Sequence, residues 1–221
     1  MFRAGHDMVI DLHVHTRPRS EDSDQSPEEA IEHAKRSGLD AICFTEHDWH
    51  WTEEEITQLS RQYDFPVFRG MEISSDEGHL LVFGLTEYRF GMHHAEVVRQ
   101  LVDEVGGVIV LAHPYRRQVK YNSSPDQLMD SVCRNPIFGL VDAVEVLNGR
   151  SNDKENRFAS QLCRKLDLKG VAGSDGHSAD DVPSFATEFD RSIGSLEELI
   201  VELREGRFRA LDLRKRPHTT R

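Results

Sequence analysis

The chain alternates short, almost wholly apolar runs with longer segments in which apolar residues recur every three or four positions. The first pattern predicts strands and the second helices. Residues 9–15 are rich in β-branched side chains and predict a first strand. Ser26-Pro27-Glu28-Glu29 predicts a helix start: Ser26 caps, Pro27 suits the first turn, and Glu29 completes a capping box. Gly38, just after Lys35-Arg36, ends that helix. Further strands are predicted over 41–45, 67–73, 108–112, 143–147 and 170–174, with an extra one at 80–85 and a seventh at 187–189. Helices are expected from Thr52, over about 93–105, 125–134 and 152–165, and from Ser195. Strands without internal alternation are those buried on both faces, as in parallel sheets. Strand–helix repetition with no linker, repeat or low-complexity stretch predicts one α/β domain over 1–221. The expected architecture is a compact seven-stranded (β/α) barrel, with a doubly wound sheet as its competitor. In such a barrel the site lies at the C-terminal ends of the strands.

Composition narrows the function classes. With 38% hydrophobic and 30% charged residues the chain is neither collagen-like nor largely disordered. No apolar run reaches the roughly 18 residues of a membrane span, and residues 1–7 carry no apolar signal segment. Cys43, Cys133 and Cys163 cannot all pair with one another and sit in apolar stretches, so reduced thiols and a cytoplasmic location are expected. The 27 Lys and Arg against 39 Asp and Glu leave a net charge of −12. Such a chain is a poor partner for membranes or long nucleic acids, and it binds an anion only where cations gather locally.

The 12 histidines are the compositional oddity. A solvated surface accounts for His6, His33, His50, His93, His94 and His218. The other six fall at or just after predicted strand ends. Asp11-Leu12-His13-Val14-His15 places two imidazoles on one strand face, where they can grip one divalent ion. Thr45-Glu46-His47-Asp48, Gly70-Met71-Glu72, Gly78-His79-Leu80, Ala112-His113-Pro114 and Gly173-Ser174-Asp175-Gly176-His177 follow at successive strand ends. Each alone could be a capping, surface or core polar residue; together they predict a metal centre. Imidazole and carboxylate without thiolate suit Zn²⁺, Mn²⁺ or Fe²⁺ rather than a Ca²⁺ or Mg²⁺ cage.

In that order, H-x-H, T-[DE]-H, a lone Glu, A-H-P and G-S-D-x-H resemble the PHP (polymerase and histidinol phosphatase) family of metal-dependent phosphoesterases, over residues 11–177. The resemblance implies a distorted TIM-like barrel of the PHP type and a centre of two to three ions. It implies a first ion on His13, His15, Glu72 and Asp175. A second would share Glu72 and add His79 and His113, and a third would take His47, His177 and a ligand from the loop after His15. Ser20-Glu21-Asp22-Ser23 resembles the family's S-x-D-S version of that loop, so Asp22 is preferred, then Glu21, then Asp24.

The expected reaction is hydrolysis of a small phosphomonoester or phosphodiester, nucleotide or histidinol-phosphate-like, by hydroxide generated at the ions. Glu72 and Asp175 would then be catalytic as well as ligating. No G-x-S-x-G or P-loop motif offers a different chemistry. Three ions would add about +6, concentrated where an anionic substrate docks. Arg17, Arg19, Arg116, Arg117 and Arg150 lie in loops after strands, and Arg17 and Arg116 are the expected phosphate clamps. Trp49-His50-Trp51 reads as helix packing or as an aromatic wall for a substrate ring, and Glu145 to Asn148 as residues that orient ligands. The competing functions are a barrel metallohydrolase of non-phosphate substrates and a catalytically silent metal-binding accessory module.

Overall fold

The computed structural model describes residues 7–117, 125–178, 181 and 183–215. His6 and His218 lie outside them. The strands are β1 (Met8–Val14), β2 (Ala41–Phe44), β3 (Val67–Arg69), β4 (Met71–Ser75), β5 (Gly78–Phe83), β6 (Val108–Leu111), β7 (Ala143–Asn148), β8 (Gly170–Gly173), β9 (Phe185–Phe189) and β10 (Phe208–Asp212). The helices are α1 (Pro27–Arg36), α2 (Glu53–Tyr63), α3 (Ala95–Val105), α4 (Pro125–Val132), α5 (Asp153–Lys165) and α6 (Leu196–Glu205). Ser26, Thr52 and Asn152 form reciprocal capping boxes with Glu29, Glu55 and Glu155, which is why α1, α2 and α5 start where they do.

The strands form two five-stranded sheets, ordered β10-β9-β1-β2-β3 and β4-β5-β6-β7-β8. β1 to β3 run parallel, as do β6 to β8. β9 is antiparallel to β1 and β10, and β5 to β4 and β6. The described strands are thus a mixed α/β arrangement rather than a closed seven-stranded barrel. The expected strand over 67–73 is two strands in different sheets, broken at Gly70. A Cβ there would meet the Phe83 ring at 2.8 Å and Thr45 Cγ2 at 3.0 Å, so only glycine lets the chain turn so close to both. β10, which the apolar pattern does not predict, completes the first sheet.

The sheets face each other across one core built from both, including Ile10, Leu12, Cys43, Phe68, Leu81, Phe83, Val110, Val171 and Phe189. They are joined at two seams near the C-terminal ends of β1 and β2. At one, Asp175 N donates to His13 O (2.8 Å) and His15 N to Gly176 O (3.0 Å). At the other, Glu72 N donates to Glu46 O (3.0 Å) and Asp48 N to Glu72 O (2.9 Å). A cavity of about 1180 Å³ lies at the opposite ends of the strands, lined among others by Asp40, Arg61, Phe65 and Glu197. No residue of the strand-end motifs lines it. Among the described residues no helix is long and apolar enough to cross a membrane, and all three cysteines are free.

Candidate metal centre

Both seams carry the strand-end motifs. In β1 the simple alternation fails locally: Leu12 packs in the inter-sheet core, Val14 packs on the α1 side, and the β1–β2 register shifts between Asp11 and Val14. The two imidazoles nevertheless converge, with His13 Nε2 and His15 Nε2 3.0 Å apart. Asp11 is buried beneath them, and its Oδ1 accepts from the N–H groups of His13 (3.1 Å) and Ser174 (2.9 Å). Burial pushes its carboxyl up to about 6. His113 (φ 28°) and Asp175 (φ 54°) both adopt left-handed backbone at a strand-to-loop junction. Such conformations cost on the order of 1–3 kcal/mol each and gather at sites whose side chains must be aimed.

Glu72, on β4, is the hub. Its Oε1 lies 2.8 Å from His79 Nδ1 and 3.0 Å from His113 Nε2. Its Oε2 lies 3.0 Å from His47 Nδ1, 3.1 Å from His15 Nε2 and 3.4 Å from His13 Nε2. One fully buried carboxylate thus faces five imidazoles, contributed by both sheets and their loops. Asp175 Oδ1 stands 3.5 Å from His13 Nε2 and 3.6 Å from His15 Nε2. Asp22 Oδ2 is 3.4 Å from His47 Nε2 and 3.1 Å from His177 Nε2. The structure therefore brings all nine implied ligands together. Four overlapping triads have ligand atoms within 4.8 Å of one another: His13-His15-Glu72, His13-His113-Asp175, His47-Glu72-His79 and His15-His47-His177. The sets implied by resemblance are interleaved, since His47 faces both Glu72 and Asp22. Of the alternative loop acids, Asp24 uses its backbone N–H on His177 O, and Glu21 is exposed.

These residues fit divalent transition ions. Glu72 Oε2 is buried yet has no hydrogen-bond partner among the described residues, although three imidazole nitrogens surround it. Converging nitrogen lone pairs and carboxylate oxygens, with no thiolate, are the donor chemistry of Zn²⁺, Mn²⁺ or Fe²⁺. Electrostatics agree. Burial disfavours charge on His13, but Asp175, Glu145 and Glu72 outweigh it and raise its pKa well above the ordinary value. Burial also opposes ionisation of Glu72, yet His13 and the other imidazoles hold it well below the carboxylate range. Asp175 is likewise held low against burial, mainly by His13. Burial brings His15 down to about 4. Charges of both signs are being held in a dry place, which is costly unless something of high charge joins them.

Around this centre Glu145 Oε1 accepts at 3.1 Å from His13 Nδ1, while its Oε2 accepts from His113 N (2.9 Å) and Asn148 Nδ2 (3.0 Å). Gly173 makes room for this: a Cβ there would meet His13 Cβ at 2.6 Å and Glu145 Oε1 at 2.9 Å. Arg116 hydrogen-bonds Asp175 Oδ2 and reaches Asn148 Oδ1 at 3.4 Å. Arg17, the other expected clamp, is not brought to the centre. It is 57% exposed and faces Glu29 of α1 at 3.7 Å, drawn by the acidic first turn of that helix. Arg19 pairs with Glu55 at 2.6 Å and lies over the Trp51 ring; Arg150 is exposed. Trp51 is buried against Phe44 and Trp49 is half exposed. Three residues near the centre were given no role by the sequence, although Ser20 and Glu46 stand within the quoted motifs and only Asp181 lies outside them. Ser20 and Glu46 lie behind His15, and the Asp181 carboxylate caps His177 N at 2.9 Å.

The chain is similar to several known proteins. The PHP domain model matches residues 11–137, and the model described as PHP-associated matches 153–208. An uncharacterized protein of Methanocaldococcus jannaschii is 28% identical over 160 residues, covering 66% of this chain and 85% of that protein. A crystal structure from Bifidobacterium adolescentis, described as a candidate metal-dependent phosphoesterase, superposes with a TM-score of 0.59 at 17% identity, over 76% of this chain and 87% of that one. A two-domain protein from Bacteroides vulgatus, containing a predicted PHP-like metal-dependent phosphoesterase, superposes with a TM-score of 0.66 at 18% identity. It covers 94% of this chain, which spans 65% of that protein. At such identities the two structures show a shared fold.

Proposed function

The chain belongs to the PHP domain family, whose model matches more than half of it, and from that premise we propose that it is a metal-dependent phosphoesterase acting on a small phosphorylated molecule. The observation that carries this reading is the Glu72 carboxylate, buried among five imidazoles with one oxygen turned to each half of the centre. His13, His15, Glu72 and Asp175 would hold one ion, and Glu72, His79 and His113 would hold another. His47, His177 and Asp22 supply a third set. Zn²⁺, Mn²⁺ or Fe²⁺ bound there supplies Lewis acidity and a water activated near neutral pH.

The chain's own residues do the remaining work. Glu72 fixes the spacing of the two halves. Glu145 turns His13 so that Nε2 faces inward. Arg116, on the rim and 20% exposed, presents planar donors next to Asp175, placed to share them with a phosphate oxygen. An acidic chain needs such a local cationic spot to admit an anion, and a long nucleic acid would meet repulsion beyond it.

The test is metal analysis with a screen of phosphomonoesters, cyclic nucleotides, bisphosphonucleotides and oligonucleotides. Ion-dependent phosphoester cleavage is expected on a small substrate. Glu72→Gln should lower kcat at least 100-fold with its thermal melt retained, because an amide nitrogen does not ligate. Less than one transition ion per chain after reconstitution, or no phosphoester turned over, refutes the reading.

A further inference from the structure

Glu46 stands between Thr45 and His47 in a motif whose other chemistry belongs to His47. It is completely buried, as few unpaired carboxylates are. Its side chain turns away from the centre and gathers four donors from two loops. Oε1 accepts from Trp51 Nε1 (2.9 Å) and Thr16 Oγ1. Oε2 accepts from Thr16 N (2.9 Å) and Ser20 Oγ (2.6 Å). An indole N–H and a backbone N–H can only donate, so both oxygens are acceptors.

Ser20 has a single hydroxyl hydrogen, and it is given to Glu46. Its oxygen also receives the backbone N–H of His47 at 3.3 Å. The remaining contact of that oxygen, 3.1 Å from His15 Nδ1, must therefore run from the ring: Nδ1–H donates to Oγ. In a neutral imidazole this leaves Nε2 without hydrogen. Nε2 is the atom that faces His13 Nε2 at 3.0 Å, Glu72 Oε2 at 3.1 Å and Asp175 Oδ1 at 3.6 Å.

We propose that Glu46 is a positioning residue that acts on the metal centre through Ser20, holding His15 as the Nδ1–H tautomer with Nε2 open to an ion. This rests on the reading of His15 as a ligand. The same task is done for His13 by Glu145 directly and for His177 by the backbone oxygen of Asp175, 2.8 Å from its Nδ1. For His15 the carboxylate is one hydroxyl further away. The relay also anchors the loop that carries Asp22. Ser20 precedes Asp22, and Ser23 follows it, its hydroxyl within 2.9 Å of both His15 O and His177 O. In the S-x-D-S pattern the first serine thus aims a ligand, and the second straps the loop across the seam.

The experiment uses the full chain, ¹⁵N-labelled at histidine and stripped of metal by chelation, so no substrate is involved. The His15 resonances are assigned by their loss in His15→Gln. In the unsubstituted protein Nδ1 should be protonated and Nε2 bare. Ser20→Ala should give a tautomer mixture, while Ser20→Thr, which keeps the hydroxyl, should restore the single form. Zn²⁺ titration should show about 10–100-fold weaker binding for Ser20→Ala and Glu46→Gln, the loss typical when the partner orienting a ligand is removed. Ser20→Thr should stay close to the unsubstituted affinity. An unchanged tautomer and unchanged Zn²⁺ affinity in Ser20→Ala overturn the proposal even if phosphoesterase activity is found. Their loss supports it even if every phosphoester tried is inert. Should Glu46→Gln fail to fold, the Ser20 pair decides alone.

Discussion

Asp22 is the most exposed of the nine candidate ligands, at 57%, against 7% or less for His13, His15, Glu72, Asp175 and His177. Burial raises its pKa, but His177, His47 and His15 outweigh it and hold the carboxyl below its ordinary value. It holds its place through two imidazoles and the loop, so it should be separable from the hub. Asp22→Ala is expected to lower bound metal by about one ion while the others remain, with activity reduced and measurable. Glu21→Ala and Asp24→Ala should keep the full metal content, since an exposed loop substitution changes stability by only about 0.5 kcal/mol or less. Elemental analysis of the three variants checks this; a full complement in Asp22→Ala removes it from the ligand set. At this scale the ligand types were legible because H-x-H, A-H-P and D-x-H spacings are local. The fate of Arg17 was not, since it depends on Glu29, which α1 brings alongside.

At the scale of elements, the two seams matter more than the sheets they join. β8 ends against β1, and Gly173 sets how closely they approach. Gly173→Ala puts a methyl where His13 and Glu145 meet, so it should cost about 1–3 kcal/mol, as overpacking does. It should also weaken metal binding, because Glu145 can no longer orient His13. At Gly139 a methyl would have nothing within 4 Å, and the backbone is not left-handed, so Gly139→Ala is the control, expected within about 0.5 kcal/mol. Urea unfolding of the two metal-free variants compares them; equal stability would mean that the seam yields freely. Helix starts were readable from Ser26, Thr52 and Ser195 because a cap is decided within four residues. The split of 67–73 was not, because the clash that demands glycine at 70 comes from Phe83 and Thr45.

For the whole molecule, with a net charge of −12, a centre dense in imidazoles would make metal uptake a proton exchange. Without metal, His13 is raised well above the ordinary histidine value. His47 is raised too, with burial opposing and Glu72 and Asp22 outweighing it. A ligating imidazole must be unprotonated at the metal-facing nitrogen, so ions displace these protons. Raised pKa values therefore set the sign: affinity falls as pH drops and rises until both rings are neutral. Zn²⁺ titration of the chelated protein at pH 7, by calorimetry in two buffers of different ionisation enthalpy, should report net proton release. A heat independent of buffer would contradict the protonation of these rings.

The amino-acid order alone determined the strand–helix alternation, the capped helix starts and the positions of the candidate metal ligands, because each depends on neighbours within a few residues. The tertiary structure decided which of these positions meet. Glu72 becomes the hub only when β4 is paired with the 46–48 segment and β5 returns His79 beside it. Glu46 looks from sequence like a spare carboxylate next to His47. Its four donors come from residues 16, 20 and 51, and its bearing on His15 exists only when the loops after β1 and β2 are packed together. Two sheets in place of a closed barrel have the same origin. Local pattern specifies a strand, whereas its partners are chosen by a core drawn from the whole chain.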